Sequence, residues 1–316
     1  MSRRLQDLTG DEWNLLSRDH TVFSIQVSGL EHHGPHLPVG IDCRESEEIE
    51  KRVCSRLESQ PDPWVVISLP PFSGMVSGNH AGSLKFEVRG HVLRDYLVDT
   101  AFVLWKNGFR YFVVFTATLT PKQLTTIEEA GEILKRKARS TLPWKKRIGH
   151  RHLLPVFICA PSALIEKTTV WRSPLWPDPI EQGGHRDTSI ALQLGPENVR
   201  EQWLSGLIDQ ELSTSLWARL KDRIQKRTPS YWGSPRSGNA TEGDRLLRET
   251  VEKITVPLLQ VLKGTARPED YFRSGYGFFP SNRSLFSVWI LSLSLIAILT
   301  FWILLNLQWM TEMAPG

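Results

Sequence analysis

The sequence predicts an α/β fold with a mostly parallel sheet, followed by one C-terminal transmembrane helix. Three observations predict it. Continuous apolar runs of strand length, at 64–69 (WVVISL), 109–115 (FRYFVVF) and 153–160 (LLPVFICA), read as strands covered on both faces. Stretches with apolar residues at helical spacing separate them, which is the alternation of a parallel sheet with crossover helices. From Leu285 to Leu307 the chain runs 23 residues without a charge, long enough to cross a bilayer with some tilt.

In chain order, Thr9 and Glu12 form a capping box, and Trp13, Leu15 and Leu16 supply the apolar side of a short helix. The segment 21–27 (TVFSIQV) reads as the first strand. Residues 43–58 carry Ile49, Val53 and Leu57 at helical spacing on a charged background, a surface helix over the sheet. Residues 88–106 place Val92 or Leu93, Leu97, Ala101 and Leu104 on one face, and Asn107-Gly108 ends that helix. Thr125 to Ala138 is helical and runs into a basic cluster reaching His152. Asn198 to Gln225 is expected to be amphipathic helix, and 228–243, rich in Pro, Gly, Ser and Asn, to be a linker. An amphipathic helix at 244–264 then presents Leu247, Val251, Ile254 and Leu258 for packing on the domain or on a partner. The organisation expected is thus one α/β domain at 1–227, the linker, this helix, a juxtamembrane segment at 265–284, the transmembrane helix at 285–308 and a short tail at 309–316.

Chemistry concentrates between Gly29 and Asp42, where three imidazoles and two carboxylates fall within fourteen residues. Glu31, His33 and Asp42 offer one nitrogen and two oxygen donors, a set that suits zinc, manganese or another first-row divalent ion. Glu31 and His33 lie two apart, so an extended segment sends both side chains to one face. Gly34, Pro35, Pro38 and Gly40 then break regular structure, and a turning loop can carry Asp42 back to the pair. The plain alternative is a surface loop with scattered histidines. The loop follows the first strand, where open parallel sheets place their sites.

The run Glu31-His32-His33-Gly34-Pro35-His36-Leu37-Pro38, followed by Asp42, resembles the signature of the creatininase (creatinine amidohydrolase) family. The resemblance implies a three-layer α/β/α fold and a two-metal centre that activates water against a cyclic or linear amide. It would place Glu31 and His33 on different metals and Asp42 between them. Asp187-Thr188-Ser189, trailed by Leu192, Pro196 and Val199, is similar to a later family motif and would put Asp187 at an acidic ligand position. Gly82-Ser83 and His80 resemble the substrate-side loop. His36 and His80 would be the candidates for proton transfer.

Two places depart from the family. The pattern Asn-Gly-His-Gly-Gly-Asn expected after the third long strand stands here as Thr116-Ala117-Thr118-Leu119-Thr120-Pro121, so Thr118 occupies the place of a metal-binding His. A hydroxyl is a poor substitute for imidazole at such an ion. The family's His-Ala-Gly, five residues before the later acid, stands as Gln182-Gly183-Gly184, with His185 as a possible substitute. The expectation is therefore one divalent ion, Zn or Mn, rather than two, held by His33, Asp42 and Asp187 in an incomplete amidohydrolase centre. The alternative is a non-catalytic creatininase-like binding or scaffold module.

Composition is that of a globular protein, with 41% hydrophobic and 23% charged residues in 316. A net charge of +4 argues little for nucleic acid, and no recognition motif accompanies it. Cys43, Cys54 and Cys159 form neither a CxxC pair nor an even framework, which points to a reducing compartment without a structural disulfide. A thiolate ligand at Cys43 is the weaker alternative to a small buried side chain. Arg273 and Arg283 precede the apolar span and Glu312 alone follows it, so the bulk of the chain is expected in the cytoplasm on a single-pass anchor. The expected partners are the membrane, anionic lipid at 135–152, a small amide substrate if the protein is active, and further copies of the chain.

Overall fold

The computed structural model describes residues 3–76, 84, 86–143, 153–165, 181–211, 230–274 and 283–312 of the chain, with side chains of the last helix described over 290–304. Its strands are β1 (Arg3–Arg4), β2 (Thr21–Ser28), β3 (Val65–Ser68), β4 (Phe72–Ser73), β5 (Tyr111–Phe115) and β6 (Val156–Cys159). They form a parallel sheet in the order β1-β3-β2-β5-β6, with β4 pairing the end of β2. In register, Phe23 of β2 lies beside Ile67 of β3 and Phe112 of β5, and Phe112 beside Phe157 of β6.

Helices cover both faces. On one side α1 (Gly10–Leu15), α3 (Gly90–Lys106) and α4 (Pro121–Thr141) close over Phe23, Ile25 and Val27. On the other, α2 (Ile41–Glu58), α5 (His185–Leu194) and α7 (Ala240–Leu262) close over Val22, Val66 and Val113. Every residue of β2 is buried, because alternate side chains enter the two cores. This is the three-layer α/β/α arrangement. Leu93, Leu97, Ala101 and Leu104 form the inner face of α3 as the spacing predicts, whereas Val92 is exposed. On α2 the predicted Ile49, Val53 and Leu57 face the sheet.

Ser24 and Gln26, on the α2 side of β2, are satisfied by that helix. Ser24 Oγ donates to Glu50, and Gln26 Nε2 donates to the carbonyl of Cys43 at 2.6 Å. They let a central strand carry Ser and Gln without leaving them unpaired.

Two expectations are corrected. The helix expected from Asn198 onward is, among the described residues, only α6 (Glu201–Leu204), after a 3-10 turn at Pro196–Asn198. Ser205-Gly206 ends it where the spacing suggested continuation. The stretch taken for a linker is packed over its described part: Tyr231 and Trp232 are buried, and Trp232 exchanges both backbone hydrogen bonds with Gln182. α7 then docks on α2 and α5. It precedes α8 (Pro268–Tyr271) and α9 (Arg283–Glu312). Among the described residues no helix is long and apolar enough to cross a membrane, so the transmembrane helix expected over 285–308 is not found there.

Candidate metal centre

The crossover after β2 carries α2 onto one face of the sheet, and the helix preceding β5 lies on the other face. The strand order therefore reverses between β2 and β5, and their carboxyl ends open a crevice of the kind in which α/β sheets bind ligands. The loop after β2 enters it with Glu31, His33 and His36, and the loop after β5 with Thr118.

The first loop is folded back on itself. Glu31 N–H donates to Val39 C=O at 3.0 Å and Ile41 N–H to Pro38 C=O at 3.1 Å, while Gly34 turns the chain with φ 84°. This return delivers Asp42 to the first turn of α2, where the helix N-terminus favours a carboxylate. The oxygens of Glu31 and Asp42 and a ring nitrogen of His33 all come within 4.8 Å of one another, and all three residues are buried.

The imidazole is oriented by its other nitrogen. His33 Nδ1–H donates to the carbonyl of Glu31 at 3.1 Å, which leaves Nε2 facing the acids. Nε2 lies 3.2 Å from Asp42 Oδ1, 3.9 Å from Asp187 Oδ2 and 4.0 Å from Glu31 Oε1. Burial by itself lowers the affinity of His33 for a proton, but Asp42, Asp187 and Glu31 outweigh it and push the pKa up to about 10. Asp42 is held below the usual carboxylate range against the opposing effect of burial, by His33, the Thr118 hydroxyl and Arg186. A proton thus balances the acids when no cation is bound, and a divalent ion would displace it.

The Thr118 hydroxyl is engaged with groups of the protein. Its hydroxyl donates to Asp42 Oδ2 at 2.8 Å and accepts from Gly29 N–H at 3.1 Å, tying the two loops together. Asp187, in the first turn of α5, is near the cluster but already engaged: Oδ2 accepts from Gly183 N–H at 2.8 Å and Oδ1 lies 3.2 Å from Arg186 Nη1. Gly183 has φ 61°, and a Cβ there would stand 2.2 Å from the carbonyl oxygen of His33, so only glycine fits between the two loops.

A profile of the creatininase family, described as creatinine amidohydrolase, matches residues 6–257. The chain belongs to the creatininase family. Its fold is similar to that of a mutant creatininase described as of Zn-Zn type, at 19% identity and TM-score 0.60, covering 83% of this chain and 99% of that one. It is similar to the same extent, on all four measures, to a structure titled creatininase Mn. A structure titled creatinine amidohydrolase (creatininase) matches at 20% identity and TM-score 0.60, over 83% and 98% of the two chains. A comparison with curated proteins finds no match.

Among the residues expected from the creatininase resemblance, Glu31, His33 and Asp42 converge, and Asp187 stands beside them. His36 is wholly buried, with Nε2 2.8 Å from Thr188 Oγ1, and burial lowers its pKa to about 4. Its Nδ1 meets no hydrogen-bond partner among the described residues. His80 lies outside the described residues. His185, offered as a substitute, turns to Ser237 Oγ at 2.8 Å instead. Gln182, in the place of a family histidine, donates to the carbonyl of His32 at 3.0 Å. Burial and the Asp42 carboxylate push the Cys43 thiol up to about 11, so it stays protonated near pH 7.

Sequence reading missed Glu45 and Arg186. Glu45 is buried one turn beyond Asp42 on α2 and is bound by both guanidinium nitrogens of Arg186. The signal available was the spacing, since positions three apart share a helix face. A surface cleft of about 360 Å³ between α2 and α7, lined by Lys51, Arg52, Arg56 and Arg248, contains none of these groups. Its cations are paired with Glu48, Asp244 and Glu252.

Proposed function

We propose that the chain is a metal-dependent hydrolase of a cyclic or linear amide, working with a single divalent ion, Zn or Mn, held by Glu31, His33 and Asp42. The observation that carries this reading is the His33 imidazole, fixed by its Nδ1 so that Nε2 faces carboxylates from two other positions of the same loop. A bound ion of this kind supplies Lewis acidity and lowers the pKa of water at the site. The chain's own residues do the rest. Thr118 orients Asp42 through Oδ2. His36, held at Nε2 by Thr188, is the first candidate for proton transfer. His80 is the second candidate for that transfer.

The test is elemental analysis of the purified chain and of His33→Ala after incubation with zinc and with manganese, followed by a screen of small amides. About one equivalent of metal, lost on substitution, together with turnover of an amide, is the expected result. Absence of metal from both proteins would sink the enzyme reading.

A second reading is favoured by Thr118 and Gln182, which stand where the resemblance puts imidazoles. In it the creatininase fold serves as a binding module. It is separated from the first by metal bound at one equivalent with no amide turned over.

We infer in addition that the protein is tethered to a membrane through 285–308 with its bulk in the cytoplasm. Support comes from the uncharged stretch itself and from the described side chains of α9. Ile290, Leu291, Leu295, Leu299 and Phe301 are all exposed, so the helix turns apolar groups outward all round and packs none of them on the domain. Contact of 135–152 with anionic lipid has weaker support, because Lys135 is already paired with Glu269 and Lys137 with Asp99. Fractionation of the full chain against one ending at Gly264 checks the tether. Recovery of both in the soluble fraction would refute it.

A further inference from the structure

Resting on the metal-centre reading above, we propose that Arg186 withdraws Asp187 from the ligand set, so that the ion is held by Glu31, His33 and Asp42 alone and no second ion is accommodated. The geometry is specific. Glu45 comes from the buried side of α2 and takes both guanidinium nitrogens of Arg186, one of them at 3.2 Å from Oε2. This two-point grip fixes the guanidinium beside Asp187, whose Oδ1 lies 3.2 Å from Nη1. The other oxygen of Asp187 accepts the Gly183 N–H at 2.8 Å. That amide has no freedom to turn away, because Gly183 sits at positive φ against the His33 carbonyl.

Asp42 differs from Asp187 in what holds it. One oxygen of Asp42 faces His33 Nε2, the atom that itself becomes a ligand when it loses its proton, and the other accepts a hydroxyl that leaves lone pairs free. Asp187 is held by a cation that cannot be deprotonated. A divalent ion approaching Asp187 must therefore come up against a fixed positive charge of like sign, and Glu45 prevents that charge from swinging clear. Two carboxylates, Glu31 and Asp42, match the charge of one divalent ion. Arg186 acts through Asp187 and is a positioning residue.

Zinc affinity decides the matter without any assay of turnover. The full chain would be titrated with zinc in competition with a chromophoric chelator, beside Asp187→Asn, Arg186→Met and the paired Glu45→Gln/Arg186→Met, which avoids leaving Glu45 buried without its cation. Asp187→Asn is expected to change the zinc Kd by less than about threefold, where loss of even a hydrogen-bond partner of a ligand typically costs about tenfold or more. The paired variant, folded by circular dichroism, is expected to bind zinc about tenfold more tightly, and adding Asp187→Asn to it is expected to cancel the gain.

A tenfold or larger weakening in Asp187→Asn alone would make Asp187 a ligand and overturn the inference while leaving the metal centre intact. Unchanged or weaker affinity in the folded paired variant would assign Arg186 a merely structural role. Failure of the unsubstituted chain to bind zinc would instead remove the metal-centre reading on which the inference rests.

Discussion

The loops that leave β2 and β5 lie side by side at the carboxyl end of the sheet, and they treat the same site in opposite ways. The β2 loop brings three ligand-type side chains within 4.8 Å of one another and spends its backbone on holding them there. The β5 loop brings a hydroxyl that serves Asp42 and Gly29. Parallel register, Ser24 beside Val113 and Gln26 beside Phe115, guarantees that both loops arrive at the crevice whatever they carry. The difference teaches that the fold delivers loops, while the side chains decide how many ions the delivered loops can hold.

The sharpest way to break the comparison is to unseat the β2 loop. Gly183→Ala would press a methyl into the His33 carbonyl and force an unfavourable φ, and we expect a loss of about 3 kcal/mol or more of stability by urea denaturation. A cost below about 1 kcal/mol would mean that the two loops are not locked together as the geometry requires.

Next in size is His33→Ala, which should weaken zinc binding about a hundredfold while leaving the fold in place. Equilibrium dialysis reads the first and circular dichroism the second. Thr118→Val, acting on the other loop, is expected to have the reverse profile. Loss of its hydroxyl leaves Gly29 N–H and Asp42 Oδ2 each short of a partner, a cost of about 1–3 kcal/mol in stability, with zinc affinity weakened only about tenfold through the loosened Asp42. A hundredfold loss of zinc in Thr118→Val would place the hydroxyl on the ion and erase the contrast between the loops.

The same contrast marks what was legible in the sequence. The β2 loop could be read because its ligands lie close together in the chain, and α2 and α3 because their apolar residues recur at helical spacing. Arg186 and Glu45 could not be paired by eye, since their contact spans 141 positions and depends on how α5 lies across α2. β1, two arginines at the sheet edge, carries no apolar signal at all, since its ladder hydrogen bonds to β3 require only backbone. The 228–243 stretch has the composition of a linker, yet Tyr231 and Trp232 fold it against the site, where Tyr231 packs edge-on to His36 at 6.3 Å. Turn-forming residues predict the bends of such a segment and say nothing of what its aromatic residues bury.

The smallest effect concerns α2, which carries two buried acids with opposite fates. Asp42 faces cations and is held low, whereas burial raises Glu50, against the hydrogen bonds from Ser24 and Ser68 that favour its ionised form. The sign of the linkage follows from that. A carboxyl with a raised pKa in the folded state contributes stability that is fully present below its unfolded value and is lost as the pH rises through the folded value. Glu50→Gln keeps an acceptor for both serine hydroxyls and removes the proton, so unfolding midpoints between pH 4 and pH 8 should decline less steeply than in the unsubstituted chain, with the two proteins drawing level at the acid end. Parallel curves would mean that Glu50 ionises in place without penalty. The two serines would then suffice to offset the burial of a charge under the sheet, and the Thr118 hydroxyl would carry a larger share in holding Asp42 low against its own burial.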